Sequence, residues 1–289
     1  MKKHQMKTIR TGSTLFIFQL VILVSVFIIA YFPVWKGLVL TWYQSEDYSH
    51  GFFVVPLCLY LLYRKKEILA ETSKASSNWG LLLIILSLSI YLVSYFAEIT
   101  TVASFSMVLF LAGVIVYLYG FIMLKELLFP LTILLFMIPV PAQIYATLTV
   151  PLQLFVSSVS TWLASIIKIP IYREGNILHL PENTLQVVQA CSGLRSMISL
   201  LTLSAIFAYL TLKSNTLRTI LFLSGIPAAI LVNIFRVLIM IFAVYYFNYD
   251  LTHGNVHTIF GVGIFFLAII IIGLVKGVLS NWDRSIAAG

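Results

Sequence analysis

Charged residues are scarce in this chain, and that scarcity limits what it can be. Of its 289 residues only 10% are charged, whereas 61% are hydrophobic. A soluble domain carries about 25% charged residues. The apolar runs are long enough for membrane-spanning helices and lack the alternation of outer-membrane barrel strands. The sequence therefore predicts an all-α polytopic membrane protein, and no nucleic acid as a partner despite the formal charge of +8.

Cysteine is nearly absent, and no metal-binding motif stands out. Cys58 lies in an apolar run, as a small filler would, and a disulfide to Cys191 is not predicted from spacing. His253 and His257 stand at i and i+4, a spacing that metal ligands use, but only His50 offers itself as a further ligand. We therefore predict neither a metal site nor a cofactor.

Eight apolar segments predict about eight transmembrane helices in one domain covering residues 1–289. These segments are 14–34, 51–63, 79–98, 101–124, 126–140, 192–212, 217–247 and 258–278. The first of them follows a basic N-terminus as in a signal peptide, but it is long and ends without a small-residue cleavage pattern. We interpret it as a retained helix.

The positive residues predict the orientation of these helices. Placing the N-terminus in the cytoplasm puts 13 of the 18 Lys and Arg residues on that side. They are Lys2, Lys3, Lys7, Arg10, Arg64, Lys65, Lys66, Lys74, Lys125, Lys213, Arg218, Lys276 and Arg284. We expect a protein of the cytoplasmic (inner) membrane with both termini in the cytoplasm.

Two segments between the predicted spans need a separate interpretation. Segment 148–168 carries Pro151, Gln153 and a Ser/Thr-rich face, and a crossing there would move Lys213 and Arg218 to the outer side. We predict an interfacial or re-entrant helix for it. Alternation around a Gly-containing turn in 170–188 predicts a small outer β-hairpin flap leading to Cys191.

Cys191 is the first candidate catalytic residue. It stands where the helix that follows begins, and the positive end of a helix dipole stabilises a thiolate. Arg195 lies one turn further along, and Gln189 adds polarity in a region that apolar residues would otherwise fill. The alternative is an inert buried thiol, which is common for membrane cysteines.

Arg236 is the second candidate, because it lies within the apolar run Ile-Leu-Val-Asn-Ile-Phe-Arg-Val-Leu-Ile-Met. An arginine near the centre of a spanning helix costs roughly 2.5–3.5 kcal/mol. Asn233, at i−3, shares its face. A guanidinium here fits an oxyanion stabiliser, and a structural arginine bound to backbone carbonyls is the alternative.

His257 is the third candidate, since an imidazole suits proton transfer near neutral pH. In the predicted topology Cys191, His253, His257 and His50 all fall on the outer side. Thiol, guanidinium and imidazole together are what a cysteine acyl-transferase uses. For His253, a solvated loop histidine remains an alternative.

These motifs resemble the exosortase/archaeosortase family of integral-membrane cysteine transpeptidases. The resemblance runs from Tyr48-Ser49-His50-Gly51 through Gly261. It is most specific in Ala190-Cys191-Ser192-Gly193-Leu194-Arg195, in Asn233 to Val237 and in His257 to Gly261.

The resemblance implies a substrate and a mechanism. Substrates would be exported proteins with a C-terminal signature (typically Pro-Glu-Pro in exosortases), a membrane helix and a basic tail. Cys191 would be the nucleophile, Arg236 the oxyanion stabiliser and His257 the proton donor or acceptor, with a lipid or polysaccharide as a possible acceptor. Many exosortases have an acid after this histidine, whereas Thr258 stands here, so what orients the imidazole is open.

Two other classes stay open at this point. A transporter also places Arg and His in the membrane, although the paired broken helices of many transporters are not visible. A non-catalytic subunit of polysaccharide export or biosynthesis would leave Cys191 inert. A reactive, outward-reachable thiol at Cys191 would distinguish the enzyme from both.

Overall fold

The computed structural model describes residues 21, 24–45, 47–73, 75–187, 194–249, 251 and 254–288. The chain forms two compact units, the first ending at Pro139 and the second beginning at Val140. The prediction of a single domain stays a prediction.

In the described part of the first unit, all regular secondary-structure elements are helices. Its helices are α1 (Val24–Ala30), α2 (Phe32–Gln44), α3 (Gly51–Arg64), α4 (Lys66–Glu71), α5 (Trp79–Phe96) and α6 (Thr100–Leu135). Helices α1 and α2 meet at a bend of 69°. Pro33 stands in the first turn of α2, where its missing N–H costs nothing because that group has no helical partner.

Glycine lets α5 and the loop before it lie directly on α6. A Cβ at Gly80 would stand 2.2 Å from the backbone nitrogen of Tyr117. Gly120 has φ +87°, and a Cβ there would stand 2.0 Å from the carbonyl oxygen of Ala75. Small residues at helix contacts permit this backbone approach in membranes. Gly120 also interrupts the helical geometry of α6, so the boundary predicted near Lys125 is wrong and the break lies at Gly120.

Lys65 compensates for a proline inside α6. Pro130 has no N–H to donate to the carbonyl oxygen of Glu126, four residues earlier. Lys65 Nζ donates to that oxygen at 2.7 Å and pairs with Glu126 Oε2 at 2.8 Å. Cys58 is a free, buried thiol whose Sγ donates to the carbonyl oxygen of Pro130 at 3.6 Å. Its predicted role as a small filler of the apolar interior is confirmed.

The second unit combines four helices with a small sheet. Its elements are α7 (Ala142–Ile166), β1 (Tyr172–Glu174), β2 (Ile177–His179), β3 (Thr184–Gln186), α8 (Leu194–Thr211), α9 (Asn215–Phe247) and α10 (Gly254–Ala288). Helix α9 packs against α7, α8 and α10. Gly225 allows a close approach of α8, because a Cβ there would stand 3.1 Å from Ser204 Oγ.

The predicted hairpin is present and is extended by a third strand. The strands are antiparallel in the order β1-β2-β3, with Tyr172 opposite His179 and His179 opposite Thr184. Gly175 makes the first turn with φ +63°. Leu178 and Leu185 point inward and join a buried cluster with Val237, Met240, Ile241 and Val244 of α9. The sheet is thus seated by apolar contact with α9.

Helix α7 is continuous through Pro151, so the re-entrant form predicted for 148–168 is not supported. Its buried side chains include Thr149, Gln153, Ser157 and Ser160, whereas Leu154, Phe155 and Trp162 are exposed. Ser160 Oγ donates to the carbonyl oxygen of Ile234 at 3.4 Å. A helix with polar groups toward protein and apolar groups outward matches the lipid environment. Its interfacial placement remains untested.

The described residues contain five helices that are long and apolar enough to cross a membrane, or six if the bent pair counts as one span. The five are α5, α6, α7, α9 and residues Ile259–Arg284 of α10, and the α1–α2 pair would be the sixth. The predicted all-α polytopic class is confirmed, but the predicted count of eight spans is not. The segment predicted at 101–124 and most of the one at 126–140 lie in one element, α6, which ends at Leu135. Helix α3 and residues Met197–Thr211 of α8 are apolar but shorter than a span.

A carboxylate at the end of α10 holds the start of α9. Asp283 is buried, and its oxygens accept the N–H groups of Lys213 at 2.7 Å and Ser214 at 3.2 Å. Ser214 is the residue immediately before α9. Negative charge is favourable at a helix N-terminus, where backbone N–H groups have no helical acceptor.

We expect Asp283→Ala to lower the stability of the second unit by about 1–3 kcal/mol, because two part-buried backbone donors lose their buried acceptor. The measurement is thermal unfolding of the detergent-solubilised protein. Asp283→Asn keeps one acceptor oxygen and should lie between the alanine variant and the wild type. Equal unfolding temperatures for all three proteins would contradict the role given to Asp283.

Candidate functional site

His50 lies in the first unit and binds the backbone that follows α6. Its Nε2 atom lies 3.0 Å from the carbonyl oxygen of Phe136, which accepts when Nε2 carries the proton. Trp42 Nε1 donates to the carbonyl oxygen of Met137, and Thr101 Oγ1 donates to that of Pro139, both at 2.9 Å. Three side chains therefore bind backbone carbonyl oxygens in the segment that follows the C-terminal end of α6. This contact gives His50 a structural role, and its predicted role at the site stays a prediction.

Arg236 and Asn233 lie on the buried side of α9 in the second unit. Arg236 is 7% exposed and Asn233 is 3% exposed. Their separation by three residues puts both on one face of the helix, as the sequence predicted. Val232, Val237 and Met240 of the same helix are buried as well. A buried guanidinium acts strongly on charge that develops nearby, because water screens it little.

Helix α10 meets Arg236 at a glycine. The Nη2 atom of Arg236 lies 3.9 Å from the position that a Cβ would occupy at Gly261. The missing side chain leaves room for the guanidinium beside the α10 backbone. In the backbone of the same helix, position 257 precedes Gly261 by four residues, about one turn. The fold therefore brings Arg236 to the part of α10 that carries His257.

The predicted nucleophile lies outside the described residues, as do two supporting residues. Cys191, Gln189 and His253 have no described position. Arg195 lies in the first turn of α8, which is described from Leu194 onward. Helix α10 begins at Gly254, four residues before the start predicted at 258, so position 257 lies in its first turn. The meeting of thiol, guanidinium and imidazole therefore stays a prediction.

Sequence reasoning missed two polar features of this unit. One is the burial of Gln153 and Ser157 of α7, in the segment that it predicted to be an interfacial or re-entrant helix. The other is a contact between Asn183 and Asn248, two residues it did not single out. Nothing in the local pattern points to either, because both depend on which helix packs against which.

The fold and these residues define a class of protein. The chain is a multi-pass helical membrane protein with a buried arginine beside the helix that carries a histidine. A comparison with protein families matches residues 42–274 to the transmembrane exosortases. This match covers most of the chain, and the chain therefore belongs to the transmembrane exosortase family. Comparisons with curated proteins and with solved structures each returned no match.

Membership in this family supports a role in protein sorting by transpeptidation at a membrane. The resemblance drawn from Cys191, Arg236 and His257 is thereby confirmed at the level of the family. All three residues lie within the matched range.

Proposed function

We propose that the protein is an intramembrane cysteine transpeptidase that cleaves C-terminal sorting signals of exported proteins through a thioester. The observation that carries the proposal is Arg236, buried in α9 and next to Gly261, one turn from His257 on α10. A buried arginine in a spanning helix is a functional candidate by default, because its insertion opposes the hydrophobic environment. Membership in the exosortase family supports the same class of reaction.

The first half of the reaction breaks the peptide bond. The thiolate of Cys191 attacks the carbonyl carbon at the sorting signature, and the carbonyl oxygen takes up the negative charge. Arg236 balances that charge at the tetrahedral stage. The carbon–nitrogen bond then breaks, and His257 gives a proton to the departing amine. The tail leaves, and the substrate remains bound to sulfur as a thioester.

The second half returns the enzyme to its starting state. The amine or hydroxyl of an acceptor attacks the thioester carbonyl and gives its proton to His257. The carbon–sulfur bond breaks, and the thiolate of Cys191 is regenerated. A membrane lipid or a surface polysaccharide would supply such a group, and water in its place would make the enzyme a protease.

The substrate in this proposal is an exported protein with a C-terminal signature of the Pro-Glu-Pro type, a membrane helix and a basic tail. The active site faces the outer side of the cytoplasmic membrane, and both termini lie in the cytoplasm. The charge bias of the sequence supports this orientation. No cofactor takes part in either step.

Trapping the thioester tests the proposal. Membranes containing the protein are incubated with a secreted reporter that carries the C-terminal tail described above. We expect a covalent adduct between reporter and enzyme that hydroxylamine releases, and mass spectrometry should locate it at Cys191. Reporter cleavage without any adduct that depends on Cys191 would contradict the mechanism. An unreactive thiol together with an unprocessed reporter would favour the non-catalytic alternative.

A further inference from the structure

Strand β3 forms an open edge of the sheet. The strand order β1-β2-β3 leaves β1 and β3 at the two edges. Among the described elements, α7 packs against β1 and β2, whereas β3 packs chiefly against β2. Thr184 and Gln186 of β3 are exposed, and Leu185 between them is buried. The side chain of Leu185 thus holds β3 on the protein while its two neighbours face outward.

Backbone bonds at both ends of β3 establish which of its residues face β2. Val187 N–H donates to the carbonyl oxygen of Asn176, and Leu180 N–H donates to that of Asn183, both at 2.8 Å. In an antiparallel pair, hydrogen-bonded residues alternate with residues whose N–H and C=O groups point to the other side. Asn183 and Val187 are four residues apart, so Leu185, midway between them, also bonds toward β2.

Thr184 and Gln186 are the other members of this alternation, so their N–H and C=O groups point to the open edge. Among the described residues, none bonds to these groups. Residues two apart in an extended chain repeat about every 6.8 Å, which another extended chain matches. Strand β3 contains neither proline nor a charged residue, which protect many exposed edges. The edge is therefore a template for a polypeptide in extended conformation.

The same apolar layer joins β3 to the two helices that meet at Arg236. Leu185 belongs to one buried cluster with Val237 of α9, the residue next to Arg236. Phe260 of α10, the residue next to Gly261, packs against this cluster as well. The described residues alone therefore place the open edge on the layer that adjoins the buried guanidinium.

An unwound substrate supplies the extended chain that this edge fits. The proposed reaction needs an accessible peptide carbonyl, and in a helix that carbonyl oxygen accepts a hydrogen bond from within the helix. The segment to be cut must therefore leave the helical conformation. At a membrane its freed backbone groups need protein partners, because lipid offers none. The outward N–H and C=O groups of Thr184 and Gln186 are such partners.

We propose that β3 is a substrate-binding strand. The segment of the tailed substrate that precedes its membrane helix pairs with Thr184–Gln186 and becomes a fourth strand of the sheet. This inference rests on the proposed function and deepens it, because it names the backbone that holds the substrate. Main-chain hydrogen bonds supply the affinity in this mode of binding. One edge can therefore hold tails of different sequence.

Gln186→Pro tests the edge because it removes one outward N–H and no bond to β2. Proline is tolerated in an edge strand when its nitrogen faces outward, and the preceding Leu185 is already extended. We expect KM for the tailed reporter to rise by about 3- to 10-fold with little change in kcat, the effect of one lost backbone hydrogen bond. Gln186→Ala also lacks the glutamine side chain but keeps the N–H, so the ratio of the two KM values isolates the backbone group.

Arg173→Pro is the matched control at the opposite edge. Arg173 lies opposite Leu178, and Leu178 bonds toward β3, so the N–H of Arg173 also points away from the sheet. Its KM should stay within about twofold of the wild type, as for a surface substitution away from the site. Thermal unfolding shows whether each variant keeps its fold. Equal KM values for folded Gln186→Pro and Arg173→Pro would overturn the proposal.

N-methylation of the substrate gives a second test that leaves the enzyme unchanged, and it decides the matter if Gln186→Pro does not fold. Synthetic tail peptides carry one N-methyl group at successive positions before the membrane helix. Because alternate residues of a paired strand point to opposite sides, KM should rise at every second position and little at the positions between. A rise without this period, or no rise at any position, would contradict the pairing.

Photocrosslinking separates this inference from the proposed function, since it needs no turnover. Thr184→p-benzoylphenylalanine should crosslink to the tailed reporter in membranes, and Gln186→Pro in the same chain should weaken the crosslink. If the crosslink forms but the reporter is not processed, the proposed function fails and the pairing stands. If processing depends on Cys191 but neither crosslink nor period is seen, the pairing fails alone. A crosslink to a second copy of the enzyme instead would make the edge an interface between copies and overturn the proposal.

Discussion

Cys191→Ala should abolish both reporter cleavage and adduct formation, because no other described or predicted group supplies a nucleophile at this site. The loss of a catalytic nucleophile costs on the order of 10⁶-fold in enzymes of this kind of chemistry. Processing by membranes that contain the variant should therefore be indistinguishable from that of membranes without the protein. The measurement is the ratio of cleaved to intact reporter over time, at matched amounts of folded enzyme.

Cys58→Ala is the matched control for that experiment. Cys58 is the only other cysteine, and its thiol is buried against the Pro130 carbonyl oxygen in the first unit. The substitution removes one weak hydrogen bond and leaves processing intact. Normal processing by Cys191→Ala, or a loss shared equally by the two variants, would refute the assignment of the nucleophile.

Arg236→Lys should lower kcat by about 100- to 1000-fold, the usual cost of removing an oxyanion-stabilising donor. Lysine keeps the charge but replaces the planar set of donors with a compact ammonium, which does not reproduce the position of Nη2 beside Gly261. KM should change little, because the oxyanion forms only after the substrate has bound. The measurement is kcat and KM for the tailed reporter.

Arg218→Lys provides the control on the same helix. Arg218 stands in the first turns of α9, where its Nε donates to the carbonyl oxygen of Leu212, away from the proposed site. Its substitution should cost less than a factor of about three in kcat, as one weakened hydrogen bond would. If Arg236→Lys behaved like Arg218→Lys, Arg236 would be a structural residue and the oxyanion would need another stabiliser.

Gly261 gives a steric version of the same test. A Cβ at this position would stand 3.9 Å from Nη2, an ordinary contact distance, so Gly261→Ala should be tolerated. A leucine side chain would occupy the space of the guanidinium and displace it. Gly261→Leu should therefore resemble Arg236→Lys in kcat. Full activity in Gly261→Leu would show that the guanidinium position does not matter for the reaction.

The transporter and non-catalytic alternatives make different predictions for these variants. In a transporter, Arg236→Lys would change the passage of a solute, and Cys191→Ala would be silent. In a non-catalytic subunit, both variants would matter only through stability. The proposed enzyme is the one class in which Cys191 and Arg236 both alter the fate of the same tailed reporter.

The sequence determined the class of this protein, its family and most of its helices, since these follow from local composition and from short motifs. Apolar runs of sufficient length predict spanning helices wherever they pack, and the turn at Gly175 was visible in a few neighbouring residues. The third strand was not, because the turn that joins it to β2, residues 180–183, contains no glycine to mark it.

Only the tertiary structure decided which groups face one another. The break in α6 lies at Gly120 because the Ala75 carbonyl approaches there, whereas the charge at Lys125 had suggested a boundary. The polar face of α7 lies inward, where Ser160 donates to the Ile234 carbonyl oxygen of α9. Arg236 lies next to Gly261, and Asn183 next to Asn248, for the same reason: residues far apart in sequence meet only when helices pack, and no local pattern records that packing.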